Sequence, residues 1–531
     1  MTWQYDQAHE RILNLIGEAP TINVRRFSDQ YMPLYEARKA ELSAAREPVA
    51  PPLFDLPKGE AVLVNTVQIY IAITNYDDYR MDEGRETEAS HERALRFLHL
   101  YYSACDRLIE DGPVQRVDFH GSRMHAVILD QSAAGVTPES IADAFAFIRD
   151  FRAVADRANR ELANSEFDAR FRIGIDAGPC VAINNGTGLE QEPMFLGSSA
   201  NHAAKLADGP QPGIFISDRV RAILSLPVEG VLESVRNLDE SYFDRMVGIR
   251  DEMLMADTAT ASAIRNPNLL LENWRGEIAA KDVPDPTVPR FSFHHQEPPL
   301  SEIKFADLSP SNSIRMPVAS LFADLSGYTA YVDHAIANGG IADVVRALYV
   351  IRQEFQNVVE QDFGGRKVRF IGDCIHAVLA EGDRNETDEP KSVVQSFSCS
   401  GGLRSSFDIC RDELGNLDSL GLAIGIELGP TPISRIGIRG ERSVRIASSV
   451  ATATSEQMQQ DCQDNEVRFG PVAIGVMPAA LEDLLQASSV NYDDVAACLS
   501  THEQSPTAPA VHARAHSHND GSVSRAHFRK A

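Results

Sequence analysis

The sequence predicts two related domains of mixed strand and helix, joined in tandem on one chain. Three observations lead there. The chain has 531 residues, more than one hydrophobic core accommodates, so its length points to two or three domains. Hydrophobic residues make up 43% and charged residues 24%, the balance of a globular protein rather than a fibrous or broadly unfolded one. The third observation is an internal repeat. VDFHGSRMHAVIL at 117–129 matches VRFIGDCIHAVLA at 368–380, and FRIGIDAGP at 171–179 matches LAIGIELGP at 422–430, both at an offset of 251. IAITNYD at 71–77 falls against ADLSGYT at 323–329 at an offset of 252. Apolar strands that resemble one another by chance would not keep a common spacing, so the chain holds a duplicated domain of about 170 residues.

Each segment then follows in order. Residues 1–57 form an N-terminal helical segment with two helix-like stretches, closed by Pro48, Pro51, Pro52 and Pro57. The β-rich run KGEAVLVNTVQIYIAIT opens the first repeat, 58–230. Residues 231–312 read as a helical connection ending in the proline-rich linker DVPDPTVPRFSFHHQEPPLSE, and the second repeat, 313–485, opens on MPVASLFADLS. Residues 486–531 read as a largely disordered tail, rich in Ser, Thr, Pro and His from about residue 500. Its histidines (His502, His512, His516, His518, His527) follow no helix or strand spacing, which suits a solvated tail better than a metal site.

Charge and composition exclude several functions. A formal net charge of -26 repels nucleic acid and anionic membrane surfaces, and no basic patch offsets it. No stretch of about eighteen apolar residues exists, and MTWQYDQAHERILN lacks a basic-then-apolar signal, so no membrane association is expected and the cytoplasm is the expected compartment. The seven cysteines (Cys105, Cys180, Cys374, Cys399, Cys410, Cys462, Cys498) contain no CxxC pair and read as small buried residues.

The chemistry sits in the second repeat. Asp324 ends an apolar strand, and SGYT then opens a helix whose free N–H groups suit phosphate oxygens. GGRKVRFIGDCIHAVLA reads as a β-hairpin with Asp373 at its turn. Either aspartate alone is an ordinary strand-end residue. Two carboxylates on adjacent strand ends, however, can share a pair of hard divalent cations, as chemistry on a nucleoside triphosphate requires.

These motifs resemble the class III adenylyl and guanylyl cyclase catalytic domains. FADLSGYT and GGRKVRFIGD look like that family's two metal-aspartate motifs, and LGLAIGIELGP like the core strand after them. In the first repeat, RFRIGIDAGPCVAI and FLGSSANHAAKLAD look like the later strand and the family's Gly-x-x-x-Asn-x-x-x-Arg helix. The resemblance covers about 60–230 and 314–480. It implies an α+β fold of two ferredoxin-like cyclase homology domains forming an intramolecular pseudodimer, with further homo-oligomers left open.

Carried over residue by residue, the two repeats are defective in opposite ways. Asp324 and Asp373 occupy the metal positions of the second repeat, where the first has Ala72 and Ser122. Asn201 and Lys205 occupy the Asn and Arg positions of the first, where the second is aligned with Ala451 and Ser455. Head-to-tail pairing then leaves one complete composite site and one dead one, although a nucleotide could still bind the dead site as a regulator. The resemblance implies two Mg²⁺ or Mn²⁺ ions on Asp324, Asp373 and the Leu325 backbone carbonyl, with Asn201 orienting the ribose. Lys205 would stabilise charge on the α-phosphate, without the planar fork of the usual Arg.

At the two base-reading positions of the family stand Asp118 and Met194, with Tyr328 as a wall of the pocket. A carboxylate only accepts, so Asp118 can receive uracil N3–H, the cytosine amino group or guanine N–H groups, but cannot pair with adenine N1. Met194 adds bulk that suits a small base. The combination is similar to the pyrimidine cyclases of bacterial Pycsar antiphage defence. UTP, and CTP after it, are therefore the expected substrates, ahead of the purine alternatives ATP and GTP. The competing expectation from another class is an inert nucleotide-binding regulatory protein.

Overall fold

The computed structural model describes residues 2–109, 112–161, 168–184, 193–228, 230, 237–256, 291–436, 443–487 and 489–503. Much of the expected connection (257–290) and His512, His516, His518 and His527 of the expected tail lie outside them.

Long runs rich in β-branched residues build the central strands, because such side chains fill a surface buried on both faces. The first sheet contains β1 (Asn23–Arg26), β2 (Glu60–Ile73), β3 (Val114–His120), β4 (Arg123–Asp130), β5 (Phe171–Asn184), β6 (Pro193–Leu196) and β7 (Gly213–Ile216). The second contains β8 (Phe293–His294), β9 (Ser313–Ser326), β10 (Arg366–Ile371), β11 (Cys374–Leu379), β12 (Gly421–Ile436), β13 (Val444–Ala447) and β14 (Val467–Phe469). Their orders are β3-β4-β2-β5-β6 and β10-β11-β9-β12-β13, with matching parallel additions: β1 beside β2, β7 beside β5, β8 beside β9 and β14 beside β12. Within each sheet, β-α-β-β-α-β connectivity produces the expected α+β, ferredoxin-like unit twice over.

Register ties the repeats together. Ala72 pairs with Arg172 as Asp324 pairs with Ala423, so the two positions are structural equivalents. One alignment changes. Gly174 backs against the carbonyl of Ala203 and the amide of Ala207, so closely that a Cβ there would collide; Gly425 backs in the same way against Ser455 and Gln459. That close approach sets the helix offset at 252, one more than the strands beside it. The second-unit counterparts of Asn201 and Lys205 are therefore Ala453 and Gln457, not Ala451 and Ser455, and the second unit still lacks both functional groups.

The units interlock through their cores. Val181, Ile183, Met194 and Leu196 of the β5–β6 edge belong to the apolar cluster of the second unit. Ile436, Val444 and Ile446 of the β12–β13 edge belong to that of the first. Each unit thus completes the other's interior.

The N-terminal segment differs from its helical expectation. Its helices Tyr5–Glu18 and Met32–Ala45 flank the strand β1, which extends the first sheet, while the first helix docks on the second unit. Trp3 donates to Ser406 at 2.9 Å, Ser406 donates to Glu354 at 2.8 Å, and Arg11 bridges Glu354 and Asp362. The expected tail also departs from expectation, because Tyr492–Glu503 is a helix whose Tyr492 ring packs at a tilt 5.4 Å from that of Trp3. Apolar burial against that anchor outweighs the polar composition that begins only a few residues later.

Arg11→Ala leaves the fully buried Glu354 carboxylate without its cation and is expected to destabilise the fold by about 3–5 kcal/mol in chemical denaturation. Combining it with Glu354→Gln removes the orphaned charge and should recover much of that loss.

Candidate active site

A strand end positions one half of the acidic pair and a tight turn the other. Asp324 lies near the end of β9, and Asp373 follows Gly372, whose φ of 62° is the left-handed conformation glycine tolerates at a two-residue hairpin turn. Asp373 accepts hydrogen bonds from the Leu325 amide and its own. Gln459 donates to Asp324 at 3.4 Å. Burial pushes the Asp324 carboxyl up to about 6. Burial, and then the charge of Asp324, holds the Asp373 carboxyl well above the usual carboxylate range. Neither acid has a neutralising arginine or lysine in bonding contact among the described residues.

Two half-buried carboxylates that repel each other are hard oxygen donors whose energy falls when a divalent cation enters. The residues present fit Mg²⁺ or Mn²⁺, although no cluster of three or more His, Cys, Asp or Glu side chains occurs among the described residues. Leu325 is buried directly after Asp324, with its amide turned to Asp373.

The first unit supplies the opposite wall. Its helix Ser198–Leu206 follows Gly197 and meets the helix Tyr328–Asn338 of the second unit. The Ser198 amide donates to Asp333 at 3.0 Å, and Asn201 donates to the Thr329 hydroxyl at 2.7 Å, five residues past Asp324. Lys205 lies exposed one turn further along this helix. Tyr328 is buried, with no hydrogen-bond partner for its hydroxyl among the described residues. Met194 is buried against Arg352 of the second unit.

Asp118 is engaged differently from its expected open role. Matching β-bulges at Arg116/Asp118 and Lys367/Arg369 turn these equivalent positions toward each other across the interface. Arg369 donates to the Asp118 carboxylate and to the Phe119 carbonyl, and the Phe119 amide donates to Asp118 at 2.8 Å. Burial still leaves the Asp118 carboxyl above its ordinary value, with Arg369 opposing it.

The corresponding end of the interface is closed by the protein itself. Arg123, next to Ser122, pairs with Glu456 at 3.1 Å, and His120 approaches the same carboxylate at 3.5 Å. Burial would raise Glu456, but Arg123 and His120 hold it well below the usual range. Arg80 donates to the Ser449 carbonyl at 2.9 Å, the Tyr76 and Ser448 hydroxyls meet at 3.3 Å, and the Val450 amide donates to Glu86 at 2.7 Å. These contacts cross the interface at the end that lacks the acidic pair.

Sequence reasoning missed Thr329, Asp333, Gln459 and Arg352. Thr329 was inside the SGYT motif already singled out. Arg352 gave a different signal: it interrupts the apolar stripe Ile341, Val345, Leu348, Phe355 of an otherwise amphipathic helix.

No family model matches the chain. A uridylate cyclase from a Rhizobium species is 42% identical over 489 residues, covering 91% of this chain and 92% of the relative. A uridylate cyclase from Pseudomonas aeruginosa is 32% identical over 513 residues, covering 94% and 91%. Among solved structures, a class III adenylyl cyclase-like ATP-binding protein from Pseudomonas aeruginosa superposes with a TM-score of 0.81 at 30% identity, covering 94% of this chain and all of that one. Two tandem units of mixed helix and sheet, superposing over the full length of that structure, are the class III nucleotidyl cyclase architecture. The chain belongs to that class, in the family of the two uridylate cyclases. No described helix is long and apolar enough to cross a membrane.

The raised acids make the metal-free fold depend on pH. Their folded-state affinity for protons exceeds the unfolded one, so this contribution to stability is full below about pH 4 and is lost as pH rises through about 6. In chelator, Asp324→Asn should melt at or below the native protein near pH 4 and increasingly above it toward pH 7.5. Added Mn²⁺ should reverse that order at pH 7.5, as followed by thermal melting.

Proposed function

We propose that this chain is a uridylate cyclase, converting UTP to 3′,5′-cyclic UMP and pyrophosphate at one composite site between its two units. The observation that carries this reading is the acidic pair at the end of the interface where Asn201 crosses to Thr329, while an Arg123–Glu456 pair closes the equivalent end. The names of the two relatives support the choice of UTP. The units would act as an intramolecular pseudodimer.

Asp324, Asp373 and the Leu325 carbonyl would hold Mg²⁺ or Mn²⁺, which supplies acidification of the ribose 3′-hydroxyl and neutralisation of the triphosphate. In the reaction a 3′-oxygen to α-phosphorus bond forms, the α–β phosphoanhydride bond breaks, and the hydroxyl proton departs to solvent. Asn201, already aimed at the second unit, would fix the ribose in an attacking geometry. Lys205 would meet the charge that grows on the α-phosphate, as a mobile point charge rather than a fork. Tyr328 and Met194 would wall the base. Asp118 would read it with the carboxylate oxygen not already bound by Phe119 and Arg369. A cyclic pyrimidine nucleotide suits a second messenger, and a place in antiphage defence rests on the likeness to Pycsar cyclases alone.

ATP is the competing substrate, because the solved relative is named as ATP-binding. Protein incubated with Mn²⁺ and each of the four ribonucleoside triphosphates should yield cyclic UMP as the main product by mass spectrometry. Cyclic AMP or GMP alone would refute the pyrimidine reading. Asp324→Asn or Asp373→Asn should abolish turnover, and Asn201→Ala or Lys205→Ala should reduce kcat by about tenfold or more. Mixing an Asp373→Asn chain with a Lys205→Ala chain should restore little activity. Strong rescue would mean that the site assembles between chains.

A further inference from the structure

Beside the acidic pair lies a buried guanidinium to which the catalytic scheme assigns no task. Arg352 is 1% exposed on the inward side of the helix Ile341–Asn357. Its Cζ sits 3.9 Å from the Phe370 ring centroid, and its Nη1 lies 2.7 Å from the Met194 sulfur of the other unit. Its charge acts on both Asp373 and the Tyr328 phenol, so these groups share one neighbourhood.

The chemistry of this neighbourhood is unusual for a core. A thioether is among the weakest acceptors, so the N–H directed at Met194 forms no strong bond there. Tyr328, 4% exposed, carries a hydroxyl with no hydrogen-bond partner among the described residues. Met194, Tyr328 and Phe370 belong to the same apolar cluster. A triphosphate needs several converging donors for its oxygens. Apolar and aromatic side chains carrying a guanidinium and a phenolic hydroxyl suit the edge of a planar base instead.

We propose that Arg352 determines base specificity by donating to a carbonyl oxygen of uracil, with the flexible Met194 side chain turning aside to admit it. The inference rests on the uridylate cyclase reading above. A guanidinium offers donors only. Uracil presents a carbonyl oxygen at C4, where cytosine presents an amino group. Cytosine in the same pose would set donor against donor in a buried place, and both would be left unsatisfied. The Tyr328 hydroxyl, able to donate or accept, would take a second polar atom of the ring.

The test compares kcat/KM for UTP and CTP, with Mn²⁺, in the native chain and in Arg352→Gln and Arg352→Met. Arg352→Met has no donor, suits the surrounding apolar cluster and guards against a Gln variant that fails to fold. The native chain should prefer UTP, and in both variants the UTP-to-CTP ratio should fall by about tenfold or more, the loss of one hydrogen bond to a charged donor. A guanidinium that merely packs the helix or steadies the acids would lower both substrates in proportion. A native chain that makes cyclic UMP, with an Arg352→Gln or Arg352→Met variant whose ratio is unchanged, overturns this proposal and leaves the function standing. A native chain that turns over purines alone overturns both.

Discussion

The reciprocal burial of one unit's sheet edge in the other unit's core is the constraint on which the rest depends. Met194 and Leu196 fill the second unit, and Ile436, Val444 and Ile446 fill the first, so neither core is complete alone. This exchange delivers the helix Ser198–Leu206 to the second unit's Tyr328–Asn338 helix and places Asn201 on Thr329. Position is inherited from packing: the polar contacts at the site are few, and apolar edges hold them in register.

Duplication supplied two equivalent ends, and the interface treats them oppositely. At one end two carboxylates are held close with their repulsion uncompensated by an arginine or lysine in bonding contact among the described residues, a strained arrangement that a cation relieves. At the other, Arg123 stands beside Ser122 and brings a fixed positive charge to Glu456. The same symmetry relation thus stores electrostatic energy at one end and releases it at the other. The helix starts follow a shared rule even so, because Ser198 and Val450 each present a backbone amide to an acid of the opposite unit, Asp333 and Glu86.

Much of this was legible in the residues. The repeat spacing exposed the duplicated sheet order, and Gly372-Asp373 exposed the hairpin turn, since both are local signals. Three features were not. The strand β1 lay in a segment with helical periodicity on either side, and only its pairing with Glu60–Leu63 makes it a strand. The helix offset of 252 depends on the close approach of Gly425 to Ser455, which no window of sequence contains. Asp118 looked like a free acceptor until the bulge at Arg369 turned a cation onto it from 251 positions away.

The N-terminal strap carries a consequence for the order of events during synthesis. The helix Tyr5–Glu18 leaves the ribosome long before its anchors Glu354, Asp362 and Ser406, which emerge about 350–400 residues later. At ordinary elongation rates of roughly 5–20 residues per second that is a wait on the order of tens of seconds. Through that interval Trp3, Ala8 and Ile12 have no core to enter, while β1 a few residues on already has its neighbour β2. The sheet of the first unit can therefore begin to pair while this helix is unattached, and docking of the helix, like completion of the first core by Ile436, Val444 and Ile446, awaits the second unit.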